Sequence, residues 1–143
     1  MWLHHQGTEG NIKIPIEIYE EFEESKRKDG SRDELAEWAA DSDVKAALLF
    51  REEADPEHVA GVTIEGYGED LSDTGIETIG RDPFLIFYAS TDKKNRTIVT
   101  TEVSKPSKKR ANRQIPDVCR DLGIRCINNF QLLNELDFRT SWK

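Results

Sequence analysis

Three acidic residues, Glu21, Asp82 and Glu102, occupy positions where a carboxylate could reach a bound ligand. Asp82 directly precedes a strongly apolar helical segment, and Glu102 directly follows the predicted strand Ile98–Thr101. In open α/β sheets, ligands bind beyond the carboxyl ends of the strands. The chain has only 3 His and 2 Cys, so a metal site here would be built from carboxylates. Such a site favours Mg²⁺ or Mn²⁺.

Glu21 belongs to an acidic run, and helical geometry separates it from its neighbours. The apolar residues at helical spacing are Ile14, Ile18 and Phe22. At about 100° per residue they define a buried stripe, with Glu21 at its edge. Glu20 and Glu24 point away from that stripe and are expected to face solvent.

Each of these acids also has a purely structural interpretation. Asp82 fits the N-cap of the helix that follows, a role that stabilises a helix by about 1 kcal/mol. Glu102 fits a solvated loop, and Glu21 fits a surface charge. Taken one at a time, the three positions leave both interpretations open.

Positive charge is concentrated in the last third of the chain. Residues 1–92 hold 8 Lys and Arg against 23 Asp and Glu, whereas residues 93–143 hold 12 against 5. The formal net charge of −8 argues against non-specific adhesion to nucleic acid, but the asymmetry indicates a face that meets an anionic partner. Basic residues are densest in Lys105–Arg113. A solvated polar loop is the alternative.

The remaining pattern predicts an α/β fold in one domain, residues 1–143. Short strands are predicted at 46–50, 98–101 and 124–127, the last two parallel. Helices are predicted to begin near Pro15, Ser31, Asp55, Thr74, Asp82, Pro116 and Asn128 or Asn129. The opening residues 1–11 are typical of the end of a helix followed by a loop. Cys119 and Cys126 are seven residues apart, which predicts ordinary buried thiols rather than a disulfide framework.

The chain shows no membrane or export signal. Its longest apolar run, Phe84 to Ala89, is far shorter than the roughly 20 residues of a membrane span. The N-terminus lacks a basic stretch followed by an apolar core. We therefore expect a cytoplasmic protein.

Several segments together resemble PIN-domain nucleases, from about Gly10 to the C-terminus. IKIPIEIYEEF resembles the PIN helix that carries a ligand glutamate, which matches Glu21. RDPFLIFYA resembles the motif in which an aspartate precedes an apolar helix, which matches Asp82. IVTTEVS resembles the strand end with a fourth acid, which matches Glu102, with Thr101 beside it. DELAEW and IPDVCRDLGIRCINNFQLLNEL resemble one uncharacterised PIN-like branch.

The resemblance implies a metal-dependent endoribonuclease related to the toxin halves of toxin–antitoxin pairs. It implies a three-layer fold with a parallel sheet flanked by helices. Glu21, Asp82 and Glu102 would be the catalytic residues and the ligands of Mg²⁺ or Mn²⁺. Thr101 and the basic loop would bind the RNA substrate, the loop through Lys105, Lys108, Lys109 and Arg110. An antitoxin protein and a second copy of the chain are the expected protein partners, with no membrane partner.

Two features depart from the family pattern. PIN domains carry their first ligand, an aspartate, at the end of a central N-terminal strand, and residues 1–11 contain no such strand. We therefore expect an upstream extension of roughly 20–35 residues, enough for one strand and one helix. The fourth acid is also a glutamate, Glu102, where an aspartate is more usual.

Three other interpretations stay open. A restriction-type nuclease would use an aspartate and an E-x-K strand. Asp82, Glu102 and Lys105 match this only loosely, since E-x-x-K places Glu and Lys on opposite faces of a strand. A catalytically inactive PIN-like module would bind RNA or a protein partner. An acidic interaction module would have no nucleic-acid role.

Overall fold

A computed structural model describes residues 1–141 and shows an α/β chain of short helices and short parallel strands. Its residues group into two compact units. Unit 1 comprises Met1–Glu53 and the few described residues after Phe138, and unit 2 comprises Ala54–Phe138. The predicted α/β class is therefore confirmed.

Unit 1 holds one pair of parallel strands and four helices within its described residues. Its elements are α1 (Trp2–Thr8), β1 (Ile14–Pro15), α2 (Ile16–Glu23), α3 (Glu34–Ala39), α4 (Ser42–Leu48) and β2 (Leu49–Phe50). Ile14 is opposite Leu49 in the β1–β2 register. Tyr19 and Leu48 are fully buried at the centre of the apolar cluster. The Tyr19 hydroxyl donates to the carbonyl of Ala39 at 2.8 Å, which joins α2 to the end of α3.

Some helix boundaries in unit 1 differ from the prediction. The N-cap of α3 is Asp33, whose carboxylate accepts the Ala36 N–H at 2.9 Å, whereas Ser31 was expected to cap this helix. Ser31 instead donates its hydroxyl to Asp29 at 2.6 Å in the preceding turn. The predicted strand at 46–50 is mostly helix, because Asp41 caps α4 and only Leu49–Phe50 pairs with β1.

Unit 2 carries the second parallel pair and the residues of the candidate site. Its elements are α5 (Pro56–Tyr67), α6 (Asp73–Ile79), α7 (Asp82–Ser90), β3 (Thr97–Val99), a short 3-10 turn (Arg110–Asn112), α8 (Ile115–Leu122), β4 (Arg125–Ile127) and α9 (Asn129–Glu135). β3 pairs with β4 in parallel, with Ile98 opposite Cys126. The predicted parallel pairing of these two segments is confirmed.

Local signals in the sequence set the helix ends of unit 2. Asp55 accepts the Glu57 N–H at 3.3 Å at the start of α5. Gly123 follows α8 in the left-handed region at φ 69°, which glycine adopts without a steric penalty. Asn128 begins α9 with a capping box, in which its side chain accepts the Gln131 N–H at 2.8 Å. These three boundaries agree with the prediction.

The core of unit 2 forms where α5, α7, α8 and the β3–β4 pair meet. Its buried residues include Tyr67, Ile86, Ile98, Val118 and Cys119. Across the part of the chain that the structure describes, no helix combines the length and the apolar character needed to cross a bilayer.

Candidate nucleic-acid and cation site

The loop after β3 turns back onto the N-terminus of α8. Glu102 lies in this loop, half-buried, and its Oε2 accepts the backbone N–H of Ile115 at 2.7 Å. Ile115 is the first residue of α8 and is buried. The first N–H groups of a helix have no partner within the helix, so Glu102 caps α8 from a distance in sequence.

A second carboxylate, Asp117 of α8, forms hydrogen bonds with the same loop. Asp117 is 1% exposed and accepts the Ser104 hydroxyl at 2.5 Å and the Lys105 N–H at 2.8 Å. An Arg120 guanidinium nitrogen is 3.3 Å away. These partners hold the pKa of Asp117 below its ordinary value, and the Ser104 hydroxyl has the largest effect. Burial acts in the opposite direction and raises this pKa. The loop that carries Glu102 is therefore held to α8 at two places, through Glu102 itself and through Ser104 and Lys105.

Tyr67 is a buried phenol on which the charges of both Glu102 and Asp82 act. Tyr67 is 3% exposed at the end of α5. Burial raises the pKa of its phenol, and the negative charges of Asp82 and Glu102 raise that pKa further, whereas the positive charge of Arg113 lowers it. The hydroxyl is buried and makes no hydrogen bond among the described residues. Such an unsatisfied group costs about 1–3 kcal/mol.

The end of α5 is fixed against α8, which determines where Tyr67 sits. A Cβ atom added at Gly66 would lie 2.7 Å from Cγ1 of Val118, so only glycine allows this approach. Arg113 donates to the Gly66 carbonyl at 2.6 Å and pairs with Asp121. The phenol is thus positioned by packing and by hydrogen bonds around it.

Asp82 is the first residue of α7, and it is half-buried. Arg81, not Asp82, occupies the N-cap position. The N-cap alternative for Asp82 is therefore wrong, although its carboxylate still lies in the first turn of the helix, where a negative charge is favourable.

An open groove of about 370 Å³ lies beyond the carboxyl ends of β3 and β4. Its lining includes Thr100, Thr101, Glu102, Cys126, Asn128 and Phe130. Two apolar side chains at this groove are strongly exposed, Phe130 at 74% and Val103 at 70%. The groove therefore combines one carboxylate, hydroxyl and amide groups, and an exposed aromatic ring.

The four residues of the basic loop that the PIN resemblance predicts to bind RNA all lie on the surface. Lys105, Lys108, Lys109 and Arg110 are exposed. Within the loop, Lys108 donates its N–H to the Lys105 carbonyl at 2.9 Å. Arg110 also donates to the Asp70 carbonyl at 3.0 Å, so part of its hydrogen-bonding capacity serves the fold.

Glu21 lies in unit 1, whereas Asp82 and Glu102 lie in unit 2. Tyr19 is the buried residue of α2, and Glu21, two residues or about 200° further on, lies on the opposite side of the helix. Glu21 is exposed, as Glu20 and Glu24 are. The apolar stripe of Ile14, Ile18 and Phe22 predicted a buried face of α2 that lay too close to Glu21. Asp82 and Glu102 both raise the pKa of Tyr67 in unit 2, and Glu21 is described only within its own unit.

Cys119 and Cys126 are free thiols that contact each other, Cys119 buried and Cys126 half-buried. Their mutual hydrogen bond is the main cause that raises the pKa of Cys119 and lowers that of Cys126. The prediction of ordinary thiols rather than a disulfide agrees with this arrangement, but their pairing was not foreseen.

Comparison with known proteins gives one family. The chain matches the family described as "Domain of unknown function (DUF4411)" over residues 1–140. The chain belongs to this family. No curated protein and no solved structure matches it.

In this DUF4411 chain, the donor set of the site suits a hard cation. Within residues 1–141, no three His, Cys, Asp or Glu side chains form a ready metal-binding group. Mg²⁺ is commonly held by one or two carboxylates, with waters and substrate phosphates completing its shell. Asp82 and Glu102 are the two carboxylates whose negative charge acts on the buried Tyr67 phenol.

Sequence reasoning missed two residues of the DUF4411 site. Asp117 lies outside the apolar stripe of α8, so its position does not predict burial. The signal that could have found it is the long polar loop before α8, which needs an anchor. Tyr67 stands between two glycines at the end of α5, and nothing in its local sequence indicates that Asp82 and Glu102 act on its pKa.

Proposed function

We propose that this protein is a metal-dependent endoribonuclease with a three-layer PIN-like fold, acting in the cytoplasm. The observations that support the proposal are the groove that Glu102 lines beyond the carboxyl ends of the parallel strands β3 and β4, and the effect of both Asp82 and Glu102 on the pKa of one buried phenol, Tyr67. Asp82 begins a helix, and Glu102 lies in the loop three residues after the parallel strand β3. The PIN resemblance implies a helix start for Asp82 and a strand end for Glu102, which supports the proposal.

The chemistry follows from the charge of the substrate. Hydrolysis of a phosphodiester needs a positioned water and neutralisation of charge on the phosphate, which a bound Mg²⁺ or Mn²⁺ supplies. Asp82 and Glu102 would hold the cation through hard oxygen atoms. Glu102 is already oriented by the Ile115 N–H at one oxygen. Asp117 contributes by fixing the loop at Ser104 and Lys105.

The surroundings of the site suit RNA as the substrate. Lys105, Lys108, Lys109 and Arg110 are exposed on the loop that follows Glu102 and would bind backbone phosphates. Phe130 is exposed at the groove that Glu102 lines. Exposed aromatic rings stack on unpaired bases. These features favour single-stranded RNA, with Thr101 among the contacts.

Glu21 completes the proposed ligand set only through the resemblance. The test compares Glu21→Gln with Glu20→Gln, since both residues are exposed on α2 and both changes remove one charge. If Glu21 is a ligand, Glu21→Gln alone lowers Mn²⁺-dependent cleavage. Equal activity in the two variants would remove Glu21 from the site.

The main experiment measures cleavage of a labelled single-stranded RNA with Mn²⁺ and with EDTA. Asp82→Asn and Glu102→Gln should each reduce cleavage by on the order of 100-fold or more, because loss of the outer partners of a metal site already costs about 10- to 100-fold. Glu65→Gln, an exposed acid on α5, is the matched control and should cleave normally. Cleavage that survives EDTA, or that both site variants retain, would refute the proposal.

The second candidate function is a catalytically inactive PIN-like module that binds RNA or a protein partner. What favours it is the absence, within residues 1–141, of a complete three-ligand metal group. Retention of RNA in EDTA with no cleavage in Mn²⁺ would support this function. An antitoxin protein and a second copy of the chain belong to both proposals as partners.

A further inference from the structure

Phe130 is a large apolar residue that the fold leaves in solvent. It is the second residue of α9, and its side chain is 74% exposed. Packing against the core therefore does not account for a phenylalanine at this position. Val103, on the loop after β3, is also strongly exposed, and both residues line the groove beyond β3 and β4. Exposed apolar side chains that share one groove indicate a binding surface.

The backbone that carries Phe130 is held in place without help from its ring. Asn128 and Gln131 form the capping box of α9, in which each side chain accepts the backbone N–H of the other residue at 2.8 Å. Phe130 lies between these two residues in the first turn of the helix. The ring is thus presented at the groove on an ordered backbone, which reduces the entropy lost when a ligand binds.

The charge and polarity of the groove restrict what it can hold. Among the described residues that line it, Glu102 alone is charged, so a phosphate inside the groove would be repelled. A neutral planar ring would not be repelled and could stack on Phe130. Thr100 accepts the Glu102 N–H at 3.1 Å, which leaves its own O–H to donate to a ligand. The amide of Asn129, exposed at the same groove, offers both a donor and an acceptor.

The size and the neighbourhood of the groove favour one base of a nucleic acid. Its volume of about 370 Å³ is near the lower end of the roughly 300–1,000 Å³ typical of small-molecule sites. Lys105, Lys108 and Lys109 follow Val103 on the same loop and are exposed. Such lysines bind backbone phosphates. A groove that repels phosphate, beside a loop that attracts it, suits a nucleotide whose base enters the groove while its phosphates stay outside.

We propose that this groove is a subsite for one unstacked base of single-stranded RNA, in which the base stacks on Phe130 and the adjoining phosphates remain at the basic loop. This inference deepens the proposed function, on which it rests for RNA as the partner. Proteins commonly hold single-stranded RNA by stacking its bases on aromatic side chains. The subsite needs no cation, so its test is independent of cleavage.

The experiment measures RNA binding by fluorescence anisotropy in EDTA, with the full chain and two labelled probes. One probe is a single-stranded oligouridylate, and the other is an abasic oligonucleotide of the same length and charge. Phe130→Ala should weaken binding of the oligouridylate by about 5- to 100-fold, the effect of removing one stack between a base and an aromatic ring. Its affinity for the abasic probe should not change. The slope of log affinity against log salt should also stay the same, because no phosphate contact is lost.

Phe130→Trp and Ile76→Ala are the matched controls. Phe130→Trp keeps an aromatic face, so it should bind the oligouridylate at least as tightly as the original protein. Ile76 is 54% exposed on α6, outside the groove lining, so Ile76→Ala should bind both probes normally. The three variants should melt as the original protein does, because changes at exposed side chains have little effect on stability.

The outcomes separate this subsite from the proposed function. Unchanged affinity of Phe130→Ala for the oligouridylate overturns the subsite, and so does an equal loss of affinity for the abasic probe. Lack of oligouridylate binding by the original protein also overturns it. If Phe130→Ala abolishes self-association in analytical ultracentrifugation while RNA affinity is unchanged, the groove is an interface with a second copy and the subsite is overturned. Base-dependent binding without Mn²⁺-dependent cleavage supports the subsite and refutes the ribonuclease.

Discussion

Glu102 and Ile115 are joined by a hydrogen bond of 2.7 Å between a carboxylate oxygen and the first backbone N–H of α8. Glu102, three residues beyond β3, therefore has two roles: its oxygen caps a helix, and its negative charge raises the pKa of Tyr67. The two roles can be separated, because the hydrogen bond needs an oxygen acceptor while the charge needs an ionised carboxylate.

Glu102→Gln and Glu102→Ala should separate these roles. Gln keeps a carbonyl oxygen that can accept the Ile115 N–H, so we expect a change in the free energy of unfolding below about 1 kcal/mol. Ala leaves a buried N–H unpaired, which costs about 1–3 kcal/mol. Both variants should lose Mn²⁺ binding. Urea denaturation and metal titration check this, and equal stability of the two variants would contradict the capping role.

Asp117→Asn should make the free energy of unfolding less dependent on pH in the acidic range. The pKa of Asp117 is lowered in the folded state, so its contribution is present above the unfolded pKa of about 3.9 and is lost as the pH falls through the folded pKa. At pH 7 the loss should be about 2–3 kcal/mol, typical of hydrogen bonds to charged groups. The difference from the original protein should shrink below about pH 4.

The control for Asp117→Asn is Asp73→Asn. Asp73 is also an aspartate in the first turn of a helix, but it is exposed. Asp73→Asn should change the free energy of unfolding by less than about 0.5 kcal/mol. A pH-independent loss in Asp117→Asn would show that its charge is not what stabilises the loop.

Gly66→Ala and Gly61→Ala, two changes in the same helix, should have opposite signs. The new Cβ at Gly66 would lie 2.7 Å from the buried Val118, whereas nothing lies within 4 Å of one at Gly61. Gly66→Ala should destabilise by about 1–3 kcal/mol through overpacking, and Gly61→Ala should stabilise by about 0.5–1 kcal/mol through helix propensity. Thermal unfolding of both variants checks the α5–α8 contact. A stable Gly66→Ala would contradict it.

Replacing Lys105, Lys108 and Lys109 together by alanine should weaken RNA binding and flatten its salt dependence. Each lost contact with a single-stranded phosphate lowers the slope of log affinity against log salt by about 0.7. The matched control replaces Lys26, Arg27 and Lys28, an exposed basic run with the same total charge. Fluorescence anisotropy at several salt concentrations measures both slopes. Equal slopes in the two variants would indicate that the basic loop is a solvated polar loop that makes no phosphate contacts.

The elements of unit 2 could be predicted because their signals are local. Asp55-Pro56, Gly123 and Asn128 each fix a helix end through side chains or backbone within a few residues. The boundary of α4 and β2 could not be predicted in the same way, because Ala46 and Leu48 suit either a helix or a buried strand. Asp41 as a cap decided in favour of the helix.

The candidate site was predictable only in part, since proximity in space is not a local property. Asp82 and Glu102 could be chosen because one begins an apolar helix and the other ends a strand. Their shared effect on the pKa of Tyr67 depends on how α5 packs against α8, with Gly66 against Val118, and no periodicity encodes that contact. The opposite error occurred at Glu21, where periodicity indicated a buried edge and the structure exposes the side chain.

The two neighbouring thiols differ in exposure and in pKa, so one of them can be labelled selectively with a dye. Cys126 lines the groove and is half-buried, whereas Cys119 is buried, and the pKa of Cys126 is lowered by the hydrogen bond from Cys119. A maleimide dye should therefore react with one sulfur much faster than with the other. A fluorophore on that sulfur would stand in the groove beside Glu102, where its emission would respond to any molecule that displaces water from the groove.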